Sequence, residues 1–147
     1  MNHSAVHPIE ILLVEDSPAD TELAEEVLRD AKVANVVHAV DNGDDAIAFV
    51  RRTGRFAAKP RPDLILLDLN LPGRDGREVL EEIKEDPELR TIPVIVLTTS
   101  AEASDVQRAY KSHVNAYITK PLDLDAFTSV ARSIEDFWLT LVRLPSR

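Results

Sequence analysis

Residues 64–76 read LILLDLNLPGRDG, and this stretch decides the fold. Leu64 to Leu67 form a continuous apolar run that stops on Asp68. A strand with one wet face alternates apolar and polar residues. A strand covered on both faces does not, and such strands belong to parallel sheets sandwiched by helices. The turn-rich Asn70-Leu71-Pro72-Gly73 comes next, followed by a segment of helical period carrying Val79, Leu80 and Ile83.

The same unit repeats on either side. Upstream, the run Ile9 to Val14 is followed by Asp16-Ser17-Pro18 and a helical stripe of Leu23, Ala24, Val27, Leu28 and Ala31. Ser17 suits an N-cap, Pro18 the first helical position, and Asp20 and Glu22 the positive end of the helix dipole. A second run, Val33 to Val40, ends at the turn signal Asn42-Gly43, with a helix expected from about Asp45 to Arg52. Thr53 to Pro62 is polar and basic and reads as a loop. Downstream, Pro93 opens the run Val94 to Leu97, which closes on Thr98. A helix around Val106 to Tyr110 leads to the run Ala116 to Thr119, which closes on Lys120-Pro121. The last helix carries Leu124, Phe127, Val130, Ala131, Ile134 and Phe137. Strand and helix thus alternate five times, which predicts an α/β fold. The expected form is a flavodoxin-like, doubly wound five-stranded parallel sheet of order 2-1-3-4-5, with helices on both faces. Residues 1–8 are expected to be a mobile tail, residues 9–136 one domain, and residues 137–147 an extension of the last helix.

Composition narrows the function. The 147 residues are 44% hydrophobic, with 17 basic and 26 acidic side chains and a net charge of −9. No cluster of Lys and Arg offers a nucleic-acid surface. The chain has no Cys, so thiol catalysis and Cys-ligated zinc are excluded. No apolar stretch approaches the roughly 20 residues that span a bilayer. The start, MNHSAVHP, has no signal-peptide pattern, which predicts a cytoplasmic protein with no membrane partner. His3, His7, His38 and His113 lack ligand spacing and read as surface or loop. Neither a G-x-G-x-x-G nor a P-loop is present, so nucleotide binding is unsupported.

In sheets of this kind the functional crevice lies beyond the carboxyl ends of the strands. Glu15 and Asp16, Asp68, Thr98 and Lys120 all fall there. Taken singly, each has an ordinary explanation: a cap or turn acid, a β-branched strand residue, a solvated lysine. Tyr117 taken singly reads as core. Taken together they make a site. Carboxylates about 4 Å apart repel by on the order of 4 kcal/mol at an effective dielectric of 20. A hard divalent cation such as Mg2+ removes that penalty. A carboxylate can attack phosphorus, and Asp68 is the better candidate because it closes the central strand. Glu15 and Asp16 would hold the metal, Lys120 would neutralise phosphoryl oxygens, and Thr98 would donate to one.

ILLVEDSP, LILLDLNLPGRDG, IPVIVLTTS and NAYITKP resemble, in order and spacing, the receiver domains of two-component response regulators, from about Ile9 to Arg132. The resemblance implies that Asp68 accepts a phosphoryl group from a sensor histidine kinase. It also implies that Glu15, Asp16, Asp68 and the backbone carbonyl of Asn70 hold Mg2+. Thr98 and Tyr117 match the coupled switch pair, and Lys120-Pro121 the lysine and its usually cis proline. Glu15 stands where Asp is commoner, and Thr99 where a smaller residue is frequent. The long loop Thr53 to Pro62 and the ending FWLTLVRLP are similar to the stand-alone regulators paired with bacterial phytochromes. No effector domain follows, so output through protein contact is expected. The protein is then no enzyme beyond catalysing its own phosphorylation and dephosphorylation.

Two other classes compete. A phosphate-independent receiver-like adaptor would not need the intact Asp68, Thr98 and Lys120. A haloacid-type hydrolase wants a second Asp two residues after its nucleophile, where this chain has Asn70. One further expectation concerns assembly. Phe137, Trp138 and Leu139 turn through roughly 200° of a helix. Phe127, Ile134 and Leu141 keep the core-facing spacing, so Phe137, Trp138 and Leu139, with Val142 and Leu144, present more apolar surface than one sheet face can cover. A homodimer through this segment is expected, the alternative being a tail that folds back over its own domain.

Overall fold

The structure, a computed structural model, describes residues 8–120 and 123–136. The expected tail, Pro121 and the apolar C-terminal segment from Phe137 onward therefore lie, all but Pro8, outside the described residues. Five strands, β1 (Ile9–Val14), β2 (Asn35–Val40), β3 (Leu64–Leu67), β4 (Val94–Thr98) and β5 (Ala116–Thr119), form one sheet of order β2-β1-β3-β4-β5. Every pairing is parallel. Five helices alternate with them: α1 (Pro18–Arg29), α2 (Gly43–Arg51), α3 (Gly76–Glu85), α4 (Ala103–Lys111) and α5 (Leu124–Asp136).

Period-two alternation sends the strand side chains into two cores. Leu12, Val14, Ile65, Leu67, Val94 and Val96 pack with Phe49 of α2, Val79, Leu80 and Ile83 of α3, and Ala109 of α4. Ile9, Ile11, Leu13, Leu64, Leu66 and Leu97 pack on the opposite face with Ala24, Val27 and Leu28 of α1 and Phe127, Ala131 and Ile134 of α5. All four β3 side chains are buried, as its unbroken apolar run requires.

Several expectations need correction. Asn42-Gly43 is the start of α2 rather than a separate turn. Asn42 caps the helix by accepting from the Asp45 amide at 2.8 Å, and a Cβ on Gly43 would come within 2.7 Å of the Arg74 carbonyl. The second strand begins at Asn35, although Val33 still packs against the core. Thr53 to Pro62 is not wholly polar loop: a 3-10 turn, Gly54–Phe56, buries Phe56 with its ring 5.5 Å from that of Phe49. His38 sits on β2 rather than in a loop, with a ring nitrogen 2.7 Å from the Glu10 carboxylate and its ring 5.2 Å from Phe49. Leu124 has the spacing of the α5 stripe yet is exposed, because it is the first residue of the helix and packing begins at Phe127.

The turn after Asp68 is held tightly against α3. Gly76 donates its amide to the Leu69 carbonyl at 3.0 Å, and a Cβ there would meet the Asp68 carbonyl at 2.4 Å and the Leu69 Cα at 2.6 Å. Those neighbours are backbone and cannot rotate aside. Gly76→Ala is therefore expected to lower the unfolding free energy by about 1–3 kcal/mol or more. Glu78→Ala, exposed on the same helix, should stay within about 0.5 kcal/mol. Urea denaturation at unchanged m-value checks both.

Candidate functional site

Main-chain pairing continues one residue past three strands and so seats the site. The Glu15 amide donates to the Val40 carbonyl at 3.0 Å, the Asp68 amide to Val14 at 3.0 Å, and the Lys120 amide to Thr98 at 2.7 Å. Their side chains consequently emerge level at the carboxyl edge. Asp68 is only 5% exposed. Its Oδ1 accepts from the Asn70 amide at 2.9 Å and its Oδ2 from Lys120 Nζ at 3.2 Å. Lys120 is buried, not a solvated lysine, and its ammonium also donates to Glu15 Oε1 and, at 2.8 Å, to Asp20 Oδ2. Glu15 is buried too, and its Oε2 accepts from the Ser17 amide at 3.1 Å. Asp16 is exposed, and the cap of α1 is Ser17, which accepts from the Asp20 amide at 3.3 Å.

A second layer leads away from Asp68. Thr98, fully buried, accepts from Asn70 Nδ2 at 3.2 Å and from the Ser100 amide at 3.4 Å. Asn70 Nδ2 also donates to the Thr99 hydroxyl at 2.9 Å. Tyr117 is half-buried, and its hydroxyl donates to the Ser100 carbonyl at 2.7 Å. The Ser100 hydroxyl in turn donates to Asp105 at 2.5 Å, and Asp105 takes a bidentate pair from Arg77 at 2.7 and 2.6 Å. The site residues read from the sequence are therefore brought together. Asp20, Ser100, Asp105 and Arg77 were missed. The Ser17-to-Asp20 spacing, that of a capping box, was the only signal for any of them.

Burial pushes the Glu15 carboxyl up to about 7, against the opposing pull of Lys120 and the Ser17 amide. Burial also works against the Lys120 ammonium, but its hydrogen bonds to Asp20 and Glu15 outweigh it and hold Lys120 above the ordinary lysine range. Within this pair the lysine keeps its charge, because three carboxylates surround it. Glu15 is the group that changes. Hydrogen bonding to Arg77 and Ser100 holds the Asp105 carboxyl well below the usual carboxylate range.

Glu15, Asp16 and Asp68 each offer one carboxylate oxygen, all within 4.8 Å of one another. An all-oxygen, triply acidic donor set fits a hard divalent cation. Among the described residues no helix is long and apolar enough to cross a membrane.

Residues 11–132 match the family model for the response regulator receiver domain. The chain belongs to that family. It is 47% identical over 146 residues to response regulator Rcp1 of Synechocystis sp., covering 99% of both chains. The fold is similar to that of the phosphorylated cyanobacterial phytochrome response regulator RcpA, with a TM-score of 0.87 at 48% identity over 95% of this chain and 100% of that one. It is equally similar to the Mn(2+)-bound form of Rcp1, with a TM-score of 0.86 at 49% identity and the same coverage. Receiver domains are signalling switches that bind a divalent metal ion, and they imply a histidine kinase partner.

The Glu15 shift gives a pH test. A carboxyl raised from 4.5 to about 7 stabilises the folded receiver below the lower value and loses that contribution as pH rises through the upper one. A cation on the same oxygens must displace the proton. Divalent-metal affinity should therefore rise between about pH 6 and pH 8, with Lys120, Asp20, Asp16 and Asp68 facing the titrating group throughout. Calorimetry in two buffers of different ionisation enthalpy should show proton release near the lower pH. A pH-independent affinity would count against this assignment.

Proposed function

We propose that this receiver takes a phosphoryl group on Asp68, with Mg2+ as the working cation, and signals by protein contact. The observation that carries the reading is the clamp on Asp68. One oxygen is held by the Asn70 amide and the other by the Lys120 ammonium, with two further acids alongside. An Asp68 oxygen attacks phosphorus, the bond from phosphorus to the donor breaks, and the leaving group departs with the electron pair. An acyl phosphate remains, and attack by water on phosphorus returns free phosphate and the carboxylate. Lys120 offsets charge on the phosphoryl oxygens throughout. Glu15, Asp16 and Asp68, with the Asn70 carbonyl, would hold Mg2+, whose charge offsets that of the arriving group. Incubation with a small phosphodonor and Mg2+ should raise the intact mass by one phosphoryl group, and Asp68→Asn should abolish the increase while preserving the fold. A normal increase in that variant would sink the assignment.

The second layer supplies the output. A phosphoryl oxygen beside Thr98 draws its hydroxyl, at the expense of the contacts from Asn70 and Ser100. The Ser100 carbonyl that anchors Tyr117 moves with that loop, so the ring is released or re-seated. Thr98→Ala should still be phosphorylated, but the amide shifts around Tyr117 that accompany phosphorylation in the wild type should shrink severalfold. Equal shifts in both proteins would rule out this coupling.

The partner is a sensor histidine kinase, and the phytochrome-linked relatives support a bacteriophytochrome in that role in the cytoplasm. A homodimer through the C-terminal segment belongs to the same reading. It is supported by an apolar groove of about 370 Å³ between α5 and the edge of the sheet, lined by Ile95, Ala116, Ile118, Val130 and Ile134. Light scattering should give twice the monomer mass for the full chain and the monomer mass for one ending at Asp136. A monomeric full chain at tens of micromolar would exclude the dimer.

A further inference from the structure

Asp20 has no place in the scheme so far, although it touches the site. It is the third residue of α1, and in a capping box the acid at that position reaches back to the amide of the N-cap residue. Here that amide, Ser17 N–H, donates instead to Glu15 Oε2 at 3.1 Å. The capping hydroxyl of Ser17 is satisfied by the main chain of Asp20, not by its carboxylate. The Asp20 side chain is thereby left free to turn toward the sheet edge, where Oδ2 meets Lys120 Nζ at 2.8 Å.

The position is selective. An ammonium has three N–H donors. Those of Lys120 go to Glu15, Asp20 and Asp68, which come from the end of β1, the first turn of α1 and the end of β3. Glu15 and Asp68 are almost fully covered, with 4% and 6% of their side chains exposed, whereas Asp20 is 38% exposed. Asp20 therefore grips the ammonium from the solvent side. It also lies outside the acid trio that fits a divalent cation. When Asp68 and Glu15 take up other partners, Asp20 is the carboxylate that can keep hold of Lys120. A lysine head on a four-carbon stem otherwise has wide freedom to leave.

We propose that Asp20 is a positioning residue for phosphoryl transfer on Asp68, its carboxylate holding the Lys120 ammonium beside the oxygen that takes the phosphoryl group. The proposal rests on the phosphoacceptor reading of Asp68. It also makes a prediction opposite to that of simple charge. Removing a negative group beside an arriving anion would, through repulsion alone, speed the transfer. Loss of orientation slows it, and a small misplacement can cost far more than one screened charge returns.

The test measures the phosphorylation rate by intact mass over a range of phosphodonor concentrations with Mg2+. Asp20→Ala should lower the maximal rate on the order of tenfold and leave the half-saturating donor concentration within about twofold. Asp20→Asn, which loses the charge but keeps an acceptor oxygen of the same reach, should recover most of the rate. Mn2+ affinity should be alike in Asp20→Ala and Asp20→Asn, which lose the same charge, because Asp20 is not a ligand. In the metal-free protein, the 15N signal of the Lys120 ammonium should be in slow exchange with water in the wild type and broadened in Asp20→Ala. The α1 cap uses only the Asp20 main chain, so alanine should fold. Asp20→Ser, too short to reach Lys120, serves as the second short variant. A wild type that takes up no phosphoryl group overturns the Asp68 reading and this proposal with it. A phosphorylated wild type matched or exceeded by the alanine and serine variants overturns the Asp20 proposal alone, as does an Mn2+ affinity lower in Asp20→Ala than in Asp20→Asn.

Discussion

The site depends on a main-chain ladder that runs past the ends of its strands. Asp68 N–H reaches Val14, Glu15 N–H reaches Val40 and Lys120 N–H reaches Thr98, so three polar side chains leave the sheet at one height. These bonds are possible because the strands behind them are level: Val14 pairs with Leu67, Leu67 with Val96, and Thr98 with Thr119. That level register is fixed by two apolar layers, since a slip of one residue would exchange Ile65 and Leu67 for Leu64 and Leu66 between the α1–α5 core and the opposite one. Packing thus sets the geometry of the site, with core residues such as Val14 supplying the main-chain acceptors that hold it.

The electrostatics follow from that placement. The edge carries more acids than one lysine can neutralise, and burial makes the excess costly. Lys120 relieves part of it by contacting three carboxylates at once, and Glu15 relieves another part by favouring its proton up to about pH 7. A site in this condition is disposed to accept a cation. The arrangement is a modest cost in folding that is recovered when a ligand arrives, as functional sites often show.

Most of this was legible in the sequence. The five runs, their parallel order and the residues at their ends follow from periodicity and from where each run stops. The parts that were not legible depend on distant partners. Phe56 lies in a polar, basic stretch, and only the position of Phe49 across the fold explains its burial. His38 pairs with Glu10 through a strand register that spacing does not reveal. Gly43 resembles a turn glycine, yet it is required by the approach of the Arg74 carbonyl from another loop. Asp20 was read as a helix-dipole acid, and nothing local signals that Glu15 takes over its capping partner. The bidentate Arg77–Asp105 pair spans 28 positions, beyond any local pattern.

Tyr117 hangs from the carbonyl of Ser100, and a carbonyl belongs to the backbone rather than to the residue's identity. Substituting Ser100 changes what Asp105 grips but leaves the tyrosine's acceptor in place. Substitution can delete the Tyr117 hydroxyl but not its counterpart, because no codon change deletes a peptide oxygen. With Tyr117 in place, the contact can be broken only by turning its ring or by moving the segment that carries the carbonyl. Neutral drift can therefore alter the side chain at position 100 while the contact to Tyr117 persists.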